Sequence, residues 1–177
     1  FFFFFNSVYL TKALNKNENT LIKRIAIKFF KLNIGLLGLG TVGSGVPMLI
    51  EEHRKKLLNV TGTDIRVKTA FVRTIETKKE IANQYGFDLT TDVADIFNDD
   101  EIDVVVEVIG GVTDAKEFIS KGLKKGKHVV TANKDLIAQH GLELVNLAKE
   151  NNCLLYYEAA VAGGIPILRT ISNSMVA

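Results

Sequence analysis

The chain has 177 residues, 47% hydrophobic and 24% charged, the make-up of a soluble globular domain with room for one sizeable core. Lys and Arg number 22 against 20 Asp and Glu, a net charge of +2 that gives no electrostatic footprint for nucleic acid or an anionic membrane surface. The single cysteine, Cys153, excludes an internal disulfide and fits a reducing, cytoplasmic setting, and no apolar run approaches the ~20 residues of a membrane helix.

Residues 1–31 open with five phenylalanines and mix Asn and Lys with short apolar bursts, without turn or cap logic. A signal peptide would place a basic start before its apolar core, and here the apolar residues come first. The segment is therefore expected to be an extension, or translated sequence upstream of a true start; a tail strand or helix added to the domain is the alternative.

The apolar run Leu32-Asn33-Ile34-Gly35-Leu36-Leu37 then predicts a buried strand. Gly38-Leu39-Gly40-Thr41-Val42-Gly43 follows directly, and Val42, Val46, Leu49, Ile50, His53 and Leu57 recur at helical spacing beyond it. A G-x-G-x-x-G string alone marks only a tight turn. Between a strand and a helix it is the dinucleotide fingerprint. Gly38 would permit the turn, Gly40 would let the backbone approach a pyrophosphate, and Gly43 would let helix and strand pack closely. The unpaired N–H groups and positive dipole end of the helix would hold the phosphates. Pro47, inside this helix, predicts a kink in its second turn.

Asn59 to Thr63 reads as a polar loop and Ile65 to Val72 as a second strand. At the end of that strand an NAD-preferring site carries an Asp or Glu for the adenosine ribose, usually ~20 residues after the glycines. Here the connection is longer and the strand end holds Arg73. A guanidinium there favours a 2′-phosphate, which points to NADP, with NAD possible; a solvated strand-end charge is the competing reading. A helix over about 77–85, a short strand near Gly86 to Leu89 and a helical turn from Asp92 to Phe97 come next.

Ile102 to Ile109 is a continuous β-branched run of the kind buried on both faces of a parallel sheet, and it ends in Gly110-Gly111. Glu107 is its one carboxylate, read as a paired structural acid at the site edge or, less directly, as a catalytic group. Thr113 to Lys125 is amphipathic. Lys127 to Thr131 is a further strand, followed by Ala132-Asn133-Lys134. Leu142, Leu144, Val145, Leu147 and Ala148 mark a helix ending near Asn151, and Cys153 to Tyr157 is a sixth strand in which Cys153 is a core thiol. This alternation predicts an α/β fold, a Rossmann-type doubly wound parallel sheet with helices on both faces. Gly38 to Gly43, Arg73, Gly110, Gly111, Thr131 to Lys134 and Glu158 all fall at C-terminal strand ends, where such sheets bind ligands.

Four stretches in order resemble homoserine dehydrogenase: Gly35 to Val46, Val106-Glu107-Val108-Ile109-Gly110-Gly111, Gly126 to Lys134, and Tyr157-Glu158-Ala159-Ala160-Val161-Ala162-Gly163-Gly164-Ile165-Pro166-Ile167. The resemblance spans residues 32 to 177. It implies reduction of aspartate 4-semialdehyde to homoserine by NAD(P)H, a step shared by threonine, methionine and isoleucine synthesis, and a homodimer when full length. It assigns the dinucleotide to Gly38, Leu39, Gly40, Thr41, Val42 and Gly43, and puts Lys134 near the nicotinamide and the reacting carbonyl, as a cofactor-binding and catalytic group; a solvated lysine at a helix start is the alternative. It further implies a monovalent metal, sodium, on Glu158 and the main chain at Val161, Gly163 and Ile165. Ala162 departs from the family's usual glycine. Beside the extension or leader read at 1–31, the resemblance implies an NAD(P)-binding domain at 32–158 and, at 159–177, the start of a substrate and dimerisation domain whose acids and main proton-transfer lysine would lie beyond Ala177. On that reading the chain has little or no activity alone.

Two other readings compete. A sugar or inositol dehydrogenase of the Gfo/Idh/MocA group shares a G-K-H-V stretch but would carry E-K-P where Thr131-Ala132-Asn133-Lys134-Asp135 stands. A non-catalytic NADP-binding module is the alternative from another class. Aspartate-semialdehyde dehydrogenase would need a catalytic cysteine, for which Cys153 is poorly placed within a strand.

Overall fold

The computed structural model describes residues 31–161 together with Gly163 and Leu168. The expected leader, apart from Lys31, and most of the segment after Val161 lie outside the described residues.

Six strands, β1 (Lys31–Leu37), β2 (Asp64–Phe71), β3 (Asp88–Thr90), β4 (Val104–Glu107), β5 (His128–Thr131) and β6 (Leu155–Tyr156), form one sheet in the order β3-β2-β1-β4-β5-β6. Every pairing is parallel. The chain thus builds outward from β1 in one direction, returns to its other side and builds outward again. Neighbouring side chains on a strand face opposite ways, and β1 shows this directly. Leu36 packs with Val67, Ala70, Ala82 and Phe87 on one face, while Leu37 packs with Phe97, Ile119, Val129 and Leu136 on the other. The first face is covered by α1 (Thr41–Glu52) and α3 (Lys79–Tyr85), and the second by α4 (Ala94–Phe97), α5 (Thr113–Lys124) and α6 (Lys134–Glu150), while α2 (Arg54–Thr61) continues beyond α1. Full burial of each such aliphatic side chain contributes about 1.5–3 kcal/mol. The doubly wound sheet is as expected.

Several local expectations are corrected. The polar stretch expected as a loop at 59–63 is helical up to Thr61, and only Gly62, in the left-handed region at φ 67°, ends it. Thr61 is buried and its Oγ1 accepts the Thr63 N–H at 3.0 Å, which closes the turn one step later than composition suggests. The helix after the glycine loop continues through Pro47. It runs on to Glu52 and breaks at His53, whose φ/ψ of −103° and 9° separate α1 from α2. Its buried residues are Gly43 and Pro47, with Val46 and Ile50 partly covered, whereas Val42 and Leu49 are 62% and 51% exposed. Close approach at Gly43 sets that rotation, one residue away from the stripe that hydrophobicity marks. Leu142 likewise lies on the outer side of α6.

The regular part of β4 is shorter than Ile102 to Ile109, although the Asp103 N–H still reaches Asn33 O and the Val108 N–H still reaches Leu37 O, both at 3.0 Å. β6 is only two residues long. Cys153 N–H returns to Ala148 O at 2.8 Å and so belongs to the end of α6, and the Leu154 N–H goes to the His128 ring at 3.0 Å instead of a strand carbonyl. Cys153 is nonetheless a buried free thiol, as expected.

Candidate nucleotide cleft

Register brings the C-terminal strand ends to one level. Leu37 lies opposite Phe71 on one side and Glu107 on the other, and Glu107 lies opposite Thr131. The pairing runs past the strands: Gly38 N–H donates to Phe71 O (3.1 Å), Val108 N–H to Leu37 O (3.0 Å) and Ala132 N–H to Glu107 O (3.4 Å). The glycine loop, the turn after β2, the Gly110-Gly111 loop and the Asn133-Lys134 turn therefore emerge side by side, across the point where the strand order reverses. Open α/β sheets bind ligands there.

Within Gly38 to Gly43 each glycine has a distinct environment. A Cβ on Gly43 would sit 2.1 Å from Gly38 O, so only glycine lets α1 lie this close to the end of β1. Gly38 has φ +99°, and a Cβ there would meet Ile109 at 2.9 Å. Apart from its two chain neighbours, no atom lies within 4 Å of such a Cβ at Gly40, which leaves the backbone open to a ligand. Leu39 is 3% exposed and its side chain joins the core, so it can offer a ligand only its main chain. Thr41 and Val42 are exposed at the first turn of α1. That turn has no side-chain cap and no acidic residue, whereas α3, α5 and α6 carry Glu80, Asp114 and Asp135 in theirs. Its N–H groups and partial positive charge are left for an anion.

Arg73 is exposed just past β2, and among the described residues no carboxylate pairs with it. On the other side of the switch point, Gly110 and Gly111 are both exposed after β4, and Lys134 is exposed as the first residue of α6. Thr131 is fully buried: its hydroxyl donates to Glu107 Oε2 at 2.5 Å and accepts the Asn133 N–H at 3.0 Å. Its side chain therefore supports the cleft wall and does not face the cleft. Glu107 is the paired acid that its place in an apolar strand suggested, with Oε1 accepting the Ile109 N–H at 2.9 Å.

Asn133 enters the sequence reading only as part of the Thr131 to Lys134 stretch, and its own role was missed. Its Oδ1 accepts the Leu136 N–H at 3.1 Å and caps α6, while its Nδ2 donates to Gly111 O at 2.5 Å. An Asn directly before a helical run is a readable cap signal; its bond to Gly111 is not local and left no trace in sequence.

Glu158 opens a single 3₁₀ turn, Glu158–Ala160, after β6. Leu168 N–H donates to its Oε1 at 3.1 Å, and among the described residues Oε2 has no hydrogen-bond partner. Val161 is partly covered and Gly163 exposed, while Ile165 lies outside the described residues. One carboxylate with main-chain oxygens is an all-oxygen donor set, which suits a hard cation rather than a thiophilic metal. Among the described residues no cluster of three or more His, Cys, Asp or Glu could hold a metal. Burial pushes the Cys153 thiol pKa up, away from thiolate chemistry. A groove lined by Pro47, Arg54, Ile65, Arg66 and Tyr85 lies at the other end of β2 and takes no part in the cleft. Among the described residues no helix is long and apolar enough to cross a membrane.

The family described as "Homoserine dehydrogenase, NAD binding domain" matches residues 38–158. A homoserine dehydrogenase of Bacillus subtilis (strain 168) is 49% identical over 144 residues, covering 81% of this chain and 33% of that protein. The crystal structure of a homoserine dehydrogenase from Thiobacillus denitrificans superposes with a TM-score of 0.76 at 41% identity, over 81% of this chain and 33% of that one. A hyperthermophilic archaeal homoserine dehydrogenase in complex with NADPH gives a TM-score of 0.65 at 27% identity, over 80% of this chain and 48% of that one. The chain spans about a third of the length of the curated relatives it matches.

Proposed function

This chain belongs to the homoserine dehydrogenase family through its NAD-binding domain, and on that premise we propose that its cleft holds NADP(H) for hydride transfer between L-homoserine and aspartate 4-semialdehyde. The observation that carries the reading is the uncapped, acid-free start of α1 beneath an open Gly40, level with the ends of β4 and β5. The pyrophosphate would lie on the N–H groups of Gly40 to Gly43. Arg73 would pair with the 2′-phosphate and so favour NADP over NAD. The nicotinamide half would lie along Gly110, Gly111 and Lys134.

The cofactor supplies the hydride. The protein's part is to orient the ring and to favour negative charge on the carbonyl oxygen as it forms. Lys134 suits the second task, since an ammonium at the mouth of the cleft can donate to that oxygen. Glu158, with the carbonyls of Val161, Gly163 and Ile165, would hold sodium beside the substrate. We place the protein in the cytoplasm, consistent with the buried free thiol of Cys153.

A chimera tests this reading: residues 31–158 replacing the equivalent domain of the Bacillus subtilis relative. Homoserine-dependent reduction of NADP, followed at 340 nm, is expected, with a large loss of rate in Lys134→Ala. A folded chimera that binds NADPH but turns over no homoserine, or one indifferent to Lys134→Ala, would contradict it.

A further inference from the structure

A closed ring of bonds lies behind the nicotinamide half of the cleft. From Glu107 the main chain runs through Ile109 to Gly111. Gly111 O accepts from Asn133 Nδ2 (2.5 Å), the Asn133 N–H donates to Thr131 Oγ1 (3.0 Å), and Thr131 Oγ1 donates to Glu107 Oε2 (2.5 Å). Glu107 Oε1 closes the inner corner by accepting the Ile109 N–H (2.9 Å). Because the Thr131 oxygen receives the Asn133 N–H, its own proton is directed at the carboxylate. Each carboxylate oxygen thus has one donor, and Glu107 is 0% exposed with no cation among its hydrogen-bond partners.

A buried carboxylate is a costly way to fill an apolar strand position, and hydrophobic replacements of buried charges are often neutral or stabilising. What the carboxylate provides here is a double acceptor that fixes two loops at once. One loop carries Gly110 and Gly111, and the other carries Lys134, held by the Asn133 cap on α6. Arg73 marks the adenosine side of the switch point, so these two loops border the opposite mononucleotide half.

We infer that Glu107 is a positioning residue that acts through Thr131 and Asn133 to set the spacing between the Gly110-Gly111 loop and Lys134, and with it the seat of the nicotinamide. This rests on the cleft being a dinucleotide site. It touches no ligand itself; its effect is confined to one half of the cofactor.

That confinement is the test. Titrations of the 177-residue chain with NADPH and with adenosine 2′,5′-bisphosphate, which lacks the nicotinamide half, would compare wild type with Asn133→Ser, Glu107→Gln, Thr131→Val and Thr131→Ser. Asn133→Ser keeps a capping oxygen for α6 but is too short to reach Gly111, so it severs the ring with the fold intact. Loss of such a bond is expected to weaken NADPH by about five- to ten-fold in Asn133→Ser, Glu107→Gln and Thr131→Val, with the bisphosphate within about two-fold of wild type. Thr131→Ser keeps the hydroxyl and is expected to restore NADPH affinity. Unchanged NADPH affinity in Asn133→Ser and Glu107→Gln, or parallel loss of both ligands, would overturn the positioning role. Wild type that binds neither ligand would overturn the nucleotide reading beneath it.

Discussion

Thr131 Oγ1 donates to Glu107 Oε2 across 2.5 Å, between two fully buried residues on adjacent strands. Thr131→Val is nearly isosteric but strands both a carboxylate oxygen and the Asn133 N–H, and burying unpaired polar groups of this kind costs about 3 kcal/mol or more. Thr131→Ser keeps the bond and loses only a methyl group, about 1 kcal/mol. Urea unfolding of the two variants is expected to show that order. Equal midpoints would mean that the hydroxyl contributes little.

Gly43 and Gly40 separate packing from ligand binding. Alanine at 43 would place Cβ 2.1 Å from Gly38 O, and relieving such overpacking costs about 1–3 kcal/mol. Alanine at 40 meets no atom within 4 Å beyond its two chain neighbours and accepts the backbone at φ −79°, so stability should stay within about 1 kcal/mol. Its methyl would stand where a pyrophosphate must approach, and NADPH affinity should fall strongly. Paired thermal melts and NADPH titrations check both halves, and Gly40→Ala binding NADPH as wild type does would argue against that approach path.

Arg73 has no carboxylate partner among the described residues and would pair with the 2′-phosphate. Losing one charged hydrogen-bonded contact costs about 1.5–3 kcal/mol, or about 10- to 150-fold in affinity. Arg73→Ala should lose that much for NADPH and nothing for NADH, measured by calorimetry. A similar loss for both cofactors would remove Arg73 from 2′-phosphate recognition.

His128 gives the fold a pH dependence. Burial lowers its pKa below the ordinary 6.5, with the Asp103 charge opposing, and its Nδ1 accepts the Leu154 N–H, which only the neutral ring can do. The unfolded chain therefore binds more protons than the folded one as pH falls past about 6.5. The stability from His128 is complete above that value and is lost as pH drops through the folded pKa. The urea midpoint should fall between about pH 7.5 and pH 5.5, and less steeply in His128→Asn. The depressed pKa values of Asp64, held down by the Arg54 guanidinium, and of Asp99, paired with Lys68, act only in more acid solution. A wild-type midpoint that is flat over that range would contradict this account.

Much of the frame was legible because it rests on short-range signals. β1 is an apolar run, β2 alternates polar and apolar residues before turning apolar, β5 is a short run with turn residues beyond it, and the glycine loop lies between a strand and a helix as its spacing requires. What escaped depends on contacts far apart in the chain. The rotation of α1 follows from Gly43 meeting Gly38 O, so Val42 and Leu49 face outward although their spacing marks them for the core. The length of β6 depends on a histidine from β5 taking a strand N–H. Asn133 reads locally as a helix cap, yet half its work is on Gly111, 22 residues away. Thr131 reads as a cleft residue because it ends a strand, and only its burial shows that it serves from behind.

The central claim is that the strand ends around Gly38 to Gly43 form an NADP(H) cleft, and calorimetric titration of NADPH into the chain tests it most directly. Saturable one-to-one binding is expected, weaker for NADH and lost when Gly40 is replaced by Asp, which sets a carboxylate against the pyrophosphate. Absence of saturation at ~1 mM NADPH, a level at which even −4 kcal/mol of binding would register, or undiminished binding in Gly40→Asp, would contradict it.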